Sequence, residues 1–477
     1  FHVIEDGVEG AFCLPSYSLS LSKNFEQGGT VSFEPEQAFY EAGTEITLTA
    51  TANSGYFFQS WSGGETSTEL VHTFNISRNA NVEGLFYPDG TQAEAGVIGY
   101  ATVQDDEGTP YLMTGGLFGD TVLASNFNTL KAYLESDLPY VVTVEDHIIS
   151  TGTINIASDK TLLGLTDSSH LEGIRIKINS SDNVILRNMT FSKVIQFDEI
   201  EINNSHHIWI DGCEFFTDLD HGSEYYDGLL DIKNAARFIT VSNTEFHDHF
   251  KAVLISSGDD SFQDTSIRIT FHHNYFHNLG SRTPLLRFGK AHIFNNYFRS
   301  CSSGVNSRMG ACIRVEENFF FSVSNALRTD MSATVGYFEV LDNIFEASSY
   351  VADPTCELDV PYEYTAYLDE AADVPLIVAG EDPLNGVNSP YLEAGITIFP
   401  NPASAEVQLV LDLREAAAEG HLSLYNLLGR QVQVIADGPF AAGSNPVYFS
   451  VAHLPAGHYF VQLETPQGRL TKSLIIQ

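Results

Sequence analysis

A short apolar stretch ending in phenylalanine recurs along the middle of this 477-residue chain, at Phe191, Phe215, Phe246, Phe276, Phe298, Phe319 and Phe345. The intervals are 24, 31, 30, 22, 21 and 26 residues. A period of 20 to 30 residues with one short strand per repeat is the mark of a solenoid, in which each rung buries its face only against the next. Twenty-odd residues are too few for a four-stranded propeller blade, so the pattern predicts a right-handed parallel β-helix. Asn274, Asn296, Asn318 and Asn343 recur just before the last four phenylalanines. Such a column predicts side-chain amides hydrogen-bonded from rung to rung at a turn, and Asn also tolerates the left-handed backbone that turns need. The open end of a solenoid needs a cover. NFNTLKAYLES (126–136) carries helical periodicity in Phe127, Leu130, Tyr133 and Leu134, with Asn126 or Asn128 as candidate N-cap, and is expected to supply it.

The rest of the chain reads as further β modules. Residues 17–88 alternate apolar and polar with Gly-rich turns, as a small β module does; residues 1–16 are expected as a tail. Residues 89–382 hold the solenoid, whose last part should wrap back along it. No Lys or Arg occurs between Arg328 and Arg414, and Pro383 to Pro390 falls in an expected linker, 383–393. Residues 394–477 alternate strands and turns as a third, sandwich-like β domain, so the expected class is all-β throughout. Five cysteines are too few for a disulfide scaffold and their odd number leaves at least one unpaired unless it bridges chains; Cys301 with Cys312 is a candidate pair. No run of 18 apolar residues is present and Phe1 opens no leader-like pattern, so a mature or trimmed chain without a transmembrane segment is expected.

Charge narrows the chemistry. The net charge is −39, which excludes a general nucleic-acid or anionic-membrane binder. Yet nine of the 23 basic residues fall between Lys233 and Arg308, a local reversal that suggests a site for an anionic ligand. Asp227 and Asp231 sit four apart around the start of one strand, and Asp198 holds a similar place one rung earlier. Three carboxylates converging from neighbouring rungs, without Cys or His beside them, suit a hard oxygen-seeking cation. The pairs His206-His207, His247-x-His249 and His272-His273 raise a zinc site as a rival, though no matching fourth ligand is visible. Asp259-Asp260 raises a hydrolytic acid–base pair, but neighbours in an extended chain face opposite ways and SSGDDSF reads as a loop. Trp61 is expected in the core of its module.

IWIDGC (208–213), DGLLDIK (227–233), FHDHFK (246–251), ITFHHNYF (269–276), SRTPLLRFG (281–289) and HIFNNYF (292–298) follow one another in order, with GGLFGD (115–120) near the start. Together they resemble the pectate lyases of polysaccharide lyase family 1, over residues 99–382. The resemblance implies a parallel β-helix, a Ca²⁺-dependent cleft and β-elimination of polygalacturonate. Residue by residue it implies Asp198, Asp227 and Asp231 as Ca²⁺ ligands, Arg282 as the base, Lys251 and Arg287 on substrate carboxylates, and Arg308 as a further cleft arginine. Two departures stand out: Gly212 replaces a usual His after Trp209-Ile210-Asp211, and Leu285 replaces a usual cleft Arg. A guanidine is an unusual base, and like-charged neighbours are the physical means of favouring its neutral form.

The segment YEAGTEITLTATANSGYFFQSW (40–61) resembles InlB B-repeat modules. FPNPA (399–403), LYNLLGR (424–430) and LPAGHYFVQL (454–463) resemble the C-terminal sorting domain of Bacteroidetes type IX secretion. The implied protein is secreted or held at the cell surface, with that export machinery and an anionic polysaccharide as partners. A pectin lyase, a β-helix polygalacturonase and a non-catalytic adhesin are the competing readings. The shortage of tryptophan, only Trp61 and Trp209, favours a de-esterified substrate over a methylated one.

Overall fold

The computed structural model describes residues 2–5, 8–11, 16–88, 96–380 and, with short breaks, 394–476. Two compact units form: Phe1–Gln92 with Thr102–Leu112, and Ala93–Ala101 with Met113–Gln477.

In the first unit, strands Leu19–Lys23, Tyr56–Gly63 and Ala80–Pro88 make one sheet, and Gly29–Glu34, Glu45–Ala52 and Val71–Asn75 a second. Alternation along Glu45–Ala52 turns Ile46, Leu48 and Ala50 inward beside Trp61, which is fully buried and donates its indole N–H to the carbonyl of Glu69 at 3.0 Å. Trp61 is therefore core. The stretch expected as a tail carries a hairpin, His2–Glu5 against Val8–Ala11. Thr102–Leu112 joins this unit through Gln104, whose side chain donates to Ser60 at 2.6 Å.

The second unit contains the solenoid. Ten parallel strands form one sheet, from Asp120–Leu123 to Tyr337–Leu341, and fifteen form another that wraps the remaining faces. Inside, Phe191, Phe215, Phe246, Phe276, Phe298, Phe320 and Phe345 stack with ring centroids 4.5 to 5.1 Å apart, matching the spacing of adjacent strands. The sixth member is Phe320 and not Phe319. Phe319 pairs with Tyr297 and faces the packing helix Val374–Ala379, because in a Phe-Phe-Phe strand alternate residues point to opposite sides.

The asparagine column forms as expected: Asn274 donates to Asn296, Asn296 to Asn318 and Asn318 to Asn343, each through Nδ2 at 2.8 to 2.9 Å. The left-handed residue of each turn is the one before it, at His273, Asn295, Glu317 and Asp342. Gly212 takes the same place one rung up from Asn243, at φ 61°, and a Cβ there would lie 2.7 Å from the Asn188 side-chain oxygen. This explains the departure at Gly212 as packing. Asn296 is fully buried and also donates to the carbonyls of Phe271 and Phe294. Its replacement by Ala leaves several buried groups unpaired, each costing about 1–3 kcal/mol. We expect Asn296→Ala to lower stability by about 3 kcal/mol or more, read as a fall in thermal midpoint, while Asn343→Ala at the end of the column costs less.

The cap is helix Phe127–Leu134, with Asn126 as N-cap accepting from the amides of Asn128 and Thr129. Leu130 and Leu134 close the end of the core. Beyond Arg328 the chain returns along the solenoid: Asp369 meets His273 at 2.8 Å, and Tyr362 bonds Thr270 and His292. The disulfide joins Cys312 to Cys356 in this returning segment, correcting the expected partner Cys301. Cys301 is buried with its thiol toward the rung interior, as is Cys213, whereas Cys312 lies on the outer side. The expected linker, 383–393, lies outside the described residues. Strands from Ala394–Phe399 to Gly468–Ile476 then form two antiparallel sheets around their own core.

Candidate active site

One outer face of the fifteen-stranded sheet brings the expected residues together. Strands Ile200–Asn203, Leu230–Lys233, Val253–Ile255, Leu285–Arg287 and Val305–Arg308 lie side by side in parallel. At about 4.8 Å per strand they span about 19 Å. Register sets Glu201 beside Asp231, Asn203 beside Lys233 and Arg287 beside Arg308. The row is acidic at one end and basic at the other.

At the acidic end Asp198 and Asp231 are both 3% exposed. Asp198 Oδ1 accepts from the Gly228 amide at 3.1 Å. Gly228 is needed for this approach, since a Cβ on it would lie 2.9 Å from Oδ1 of Asp198 and 2.9 Å from Oδ1 of Asp231. Two carboxylate oxygens thus converge on one small volume, and that of Asp231 is buried with no hydrogen-bond partner. Burial, reinforced by Asp231, pushes the Asp198 carboxyl up to about 7, and burial raises Asp231 as well. Asp227 is half exposed and meets Lys251 Nζ at 3.2 Å; Lys251 also reaches Glu224 at 3.3 Å.

A buried carboxylate oxygen without a donor, beside a second carboxylate, is a site that a hard cation satisfies and water-free protein does not. The two converging donors are oxygen only, as Ca²⁺ prefers, while the Asp227 carboxylate is turned to Lys251 and does not join them in a described group of three ligand atoms within 4.8 Å. The described residues whose His and carboxylate ligand atoms all lie within 4.8 Å of one another are elsewhere, at His147, His170 and Glu172 and at Glu245, His247 and His277.

Toward the basic end, Arg282 precedes the strand Leu285–Arg287 in left-handed backbone, φ 61°, with its carbonyl bonded to the Val253 amide at 2.6 Å. Burial acts most on Asp231 and His249, and the positive charge of Arg282, a smaller influence, favours the ionised form of Asp231 and the neutral form of His249. Among the described residues no acceptor takes a bond from its guanidinium. The other cations are tied down. Arg287 Nε binds Asp259 at 2.8 Å and its Nη1 the Ser256 carbonyl at 3.2 Å. Arg308 is buried against Asn306 and the Met331 carbonyl, and burial, followed by Arg287 and Arg328, pushes it down to about 10.

Four further side chains belong to the cleft, two of which, His249 and Asp259, the sequence suggests in other roles. Lys233 Nζ lies 2.9 Å from Asp231, 3.7 Å from Asp198 and 3.8 Å from Glu201. Burial opposes its charge, but Asp231 leads the carboxylates that outweigh it, so Lys233 is held above the usual range. The signal was present: Lys233 stands two residues from Asp231 on one strand and so shares its face. Glu201 continues the network to Arg175. His249 supports Asp227 from below, its Nε2 on the Asp227 carbonyl at 2.9 Å and its Nδ1 on Thr217 at 2.6 Å. Asp259 anchors Arg287 and is itself bound by Ser332 and the Ala333 amide, a role for one half of the suspected hydrolytic pair. The His206-His207 and His272-His273 pairs bond within themselves through Nδ1, at 2.9 and 3.0 Å. Leu285 is buried between the columns of Leu254 and Asn306, where no charge is presented.

A pectate lyase family model matches residues 141–351. Pectate lyase A of Aspergillus niger is 36% identical over 272 residues, 56% of this chain and 83% of that protein. A probable pectate lyase B of Aspergillus flavus is 41% identical over 228 residues, 47% of this chain and 68% of that protein. Among solved structures, a pectate lyase from Bacillus sp. N165 in complex with trigalacturonate superposes with TM-score 0.52 at 27% identity, covering 58% of this chain and 96% of that one. A pectate lyase variant from Xanthomonas campestris gives TM-score 0.53 at 25% identity, over 60% and 97%. Fold and relatives define a polysaccharide lyase built on a parallel β-helix. Within that class the chain belongs to the pectate lyase family.

Residues 19–89 match a divergent InlB B-repeat domain and residues 397–477 a secretion system C-terminal sorting domain. The latter is the type IX sorting domain and marks the chain as secreted or carried to the cell surface. No helix of the described residues is long and apolar enough to cross a membrane.

Proposed function

We propose that this protein cleaves polygalacturonate by Ca²⁺-dependent β-elimination, with Asp198, Asp227 and Asp231 holding the ion and Arg282 as base. The observation that carries the reading is the convergence of the Asp198 and Asp231 oxygens over Gly228, two rungs from a guanidinium without an acceptor among the described residues. The relative solved with trigalacturonate supports a galacturonate substrate.

The proton at C5 of a uronate is α to a carboxylate and weakly acidic, so the charge that develops when it leaves must be stabilised. Bound between the carboxylates, Ca²⁺ would supply a Lewis acid toward the uronate carboxylate. Lys251, at the solvent side beside Asp227, places a second positive charge there. A guanidine nitrogen of Arg282 takes the C5 proton, the C4–O4 bond breaks, the C4=C5 double bond forms, and O4 leaves with a proton from water. Arg287, fixed by Asp259, and Arg308 beyond it hold the flanking uronates of the chain. Their like charges on adjacent strands favour an anionic sugar between them.

Polygalacturonate should be cleaved faster than heavily methylated pectin, and excess chelator should stop the reaction reversibly, Ca²⁺ restoring it. Full activity in chelator would remove the calcium assignment. We also assign residues 17–88, 89–382 and 394–477 as three domains, the stretch Thr102–Leu112 excepted because it belongs to the first compact unit. A chain ending at residue 382 is expected to keep kcat within about twofold of the whole protein, because the sorting domain has its own core and carries no cleft residue. Loss of activity in a folded truncation would move that boundary.

A further inference from the structure

Away from the cleft, strands Glu214–Phe216, Glu245–His249 and Tyr275–Leu279 lie in parallel register. Glu214 pairs with Glu245, and Phe216, His247 and His277 form the next column. Phe215, Phe246 and Phe276 between them point into the core stack, so alternation turns the glutamates and histidines outward. The His247 and His277 rings lie 4.9 Å apart and 6° from parallel. His277 Nε2 meets Glu245 Oε1 at 2.7 Å, and His247 Nε2 meets Glu214 Oε1 at 3.2 Å. One ligand atom from each of Glu245, His247 and His277 lies within 4.8 Å of the others.

What separates this group from a chance cluster is the support behind it. His247 Nδ1 is bound to Asp248 Oδ2 at 2.8 Å, and the other Asp248 oxygen is held by Asn278. That bond fixes the ring and directs Nε2 toward the glutamates, the carboxylate–histidine arrangement that orients imidazole for a metal. Glu214 is held in turn by Thr190 at 3.0 Å. The site stays open to solvent, with the Glu214 and Glu245 side chains 40% and 43% exposed.

We propose that Glu214, Glu245, His247 and His277 bind a divalent transition ion of the zinc class, at a site separate from the carboxylate cleft. Two imidazoles and two carboxylates match the donors zinc takes, whereas Ca²⁺ prefers oxygen alone. A tetrahedron with metal–ligand bonds of about 2.0 Å has edges of about 3.3 Å, so binding requires the group to contract and the stacked His277 ring to turn until both Nε2 atoms face one ion. The other cluster is less prepared. His170 Nε2 is taken by Ser192 at 2.7 Å.

The test is Zn²⁺ binding to the full chain in excess Ca²⁺, read by competition with a chromophoric chelator, in a His170→Gln background that disables the other cluster. One equivalent should bind. His277→Gln or Glu245→Gln should weaken it at least 100-fold, and Asp248→Asn, which removes no ligand, about tenfold. Absence of a bound equivalent in the His170→Gln protein, or unchanged affinity in His277→Gln, would overturn the site. Unchanged affinity in Asp248→Asn would equally contradict the orientation on which it rests. None of these outcomes depends on lyase activity.

Discussion

Arg282→Lys should lower kcat on polygalacturonate by roughly 10²–10⁴-fold while substrate binding changes little, the range expected when a positioned base is lost. Lysine keeps the charge but cannot place a nitrogen where the guanidine stood, because its single ammonium sits on a flexible stem. The structure sharpens this expectation: Arg282 is the one cleft arginine without a protein acceptor among the described residues, so nothing but substrate is there to engage it. Arg287→Lys is the internal comparison. That side chain is anchored by Asp259 and the Ser256 carbonyl, and its loss should appear mainly in KM. Equal kcat for Arg282→Lys and the wild type would remove Arg282 from the chemistry.

Asp231→Asn should raise the Ca²⁺ concentration for half-activation by roughly 100-fold or more. Asp231 contributes an oxygen that is buried and otherwise unpaired, so the ion is its natural partner. Asparagine preserves the shape, and Lys233 keeps Asp198 and Glu201 as neighbours. The thermal midpoint in excess chelator should therefore move little. Asp227→Asn, at the half-exposed position, should show the same trend more weakly. An unchanged Ca²⁺ requirement in Asp231→Asn would place the ion elsewhere.

Much of the architecture was legible because a solenoid writes its rungs in order along the chain. The asparagine column was the better ruler: Asn318 stands two residues before Phe320, which is where the stack continues, while counting phenylalanines alone slipped to Phe319. The cleft acids and bases were legible one by one, through motif resemblance, but the contacts among them were not. Neighbours across rungs are separated by roughly 20 to 35 residues of sequence, and only the register reveals them. Lys233 beside Asp198 is one such case, and the Glu214–His247 and Glu245–His277 pairs are others. The shared face expected of His247 and His249 is lost for a local reason. Asp248 is left-handed at φ 47°, so the two histidines do not share a face: His247 points outward and His249 lies under Asp227. The disulfide misled similarly, since nothing in sequence shows that Cys301 faces the core while the returning segment brings Cys356 to Cys312.

The central claim is elimination, and it leaves a chemical signature that hydrolysis cannot. Incubation of the protein with polygalacturonate and Ca²⁺ should generate near-UV absorbance, from the double bond conjugated to the uronate carboxyl, in step with the appearance of new reducing ends. New reducing ends without that absorbance would show that water, and not a C4=C5 double bond, takes up the cleaved bond, and would contradict the account.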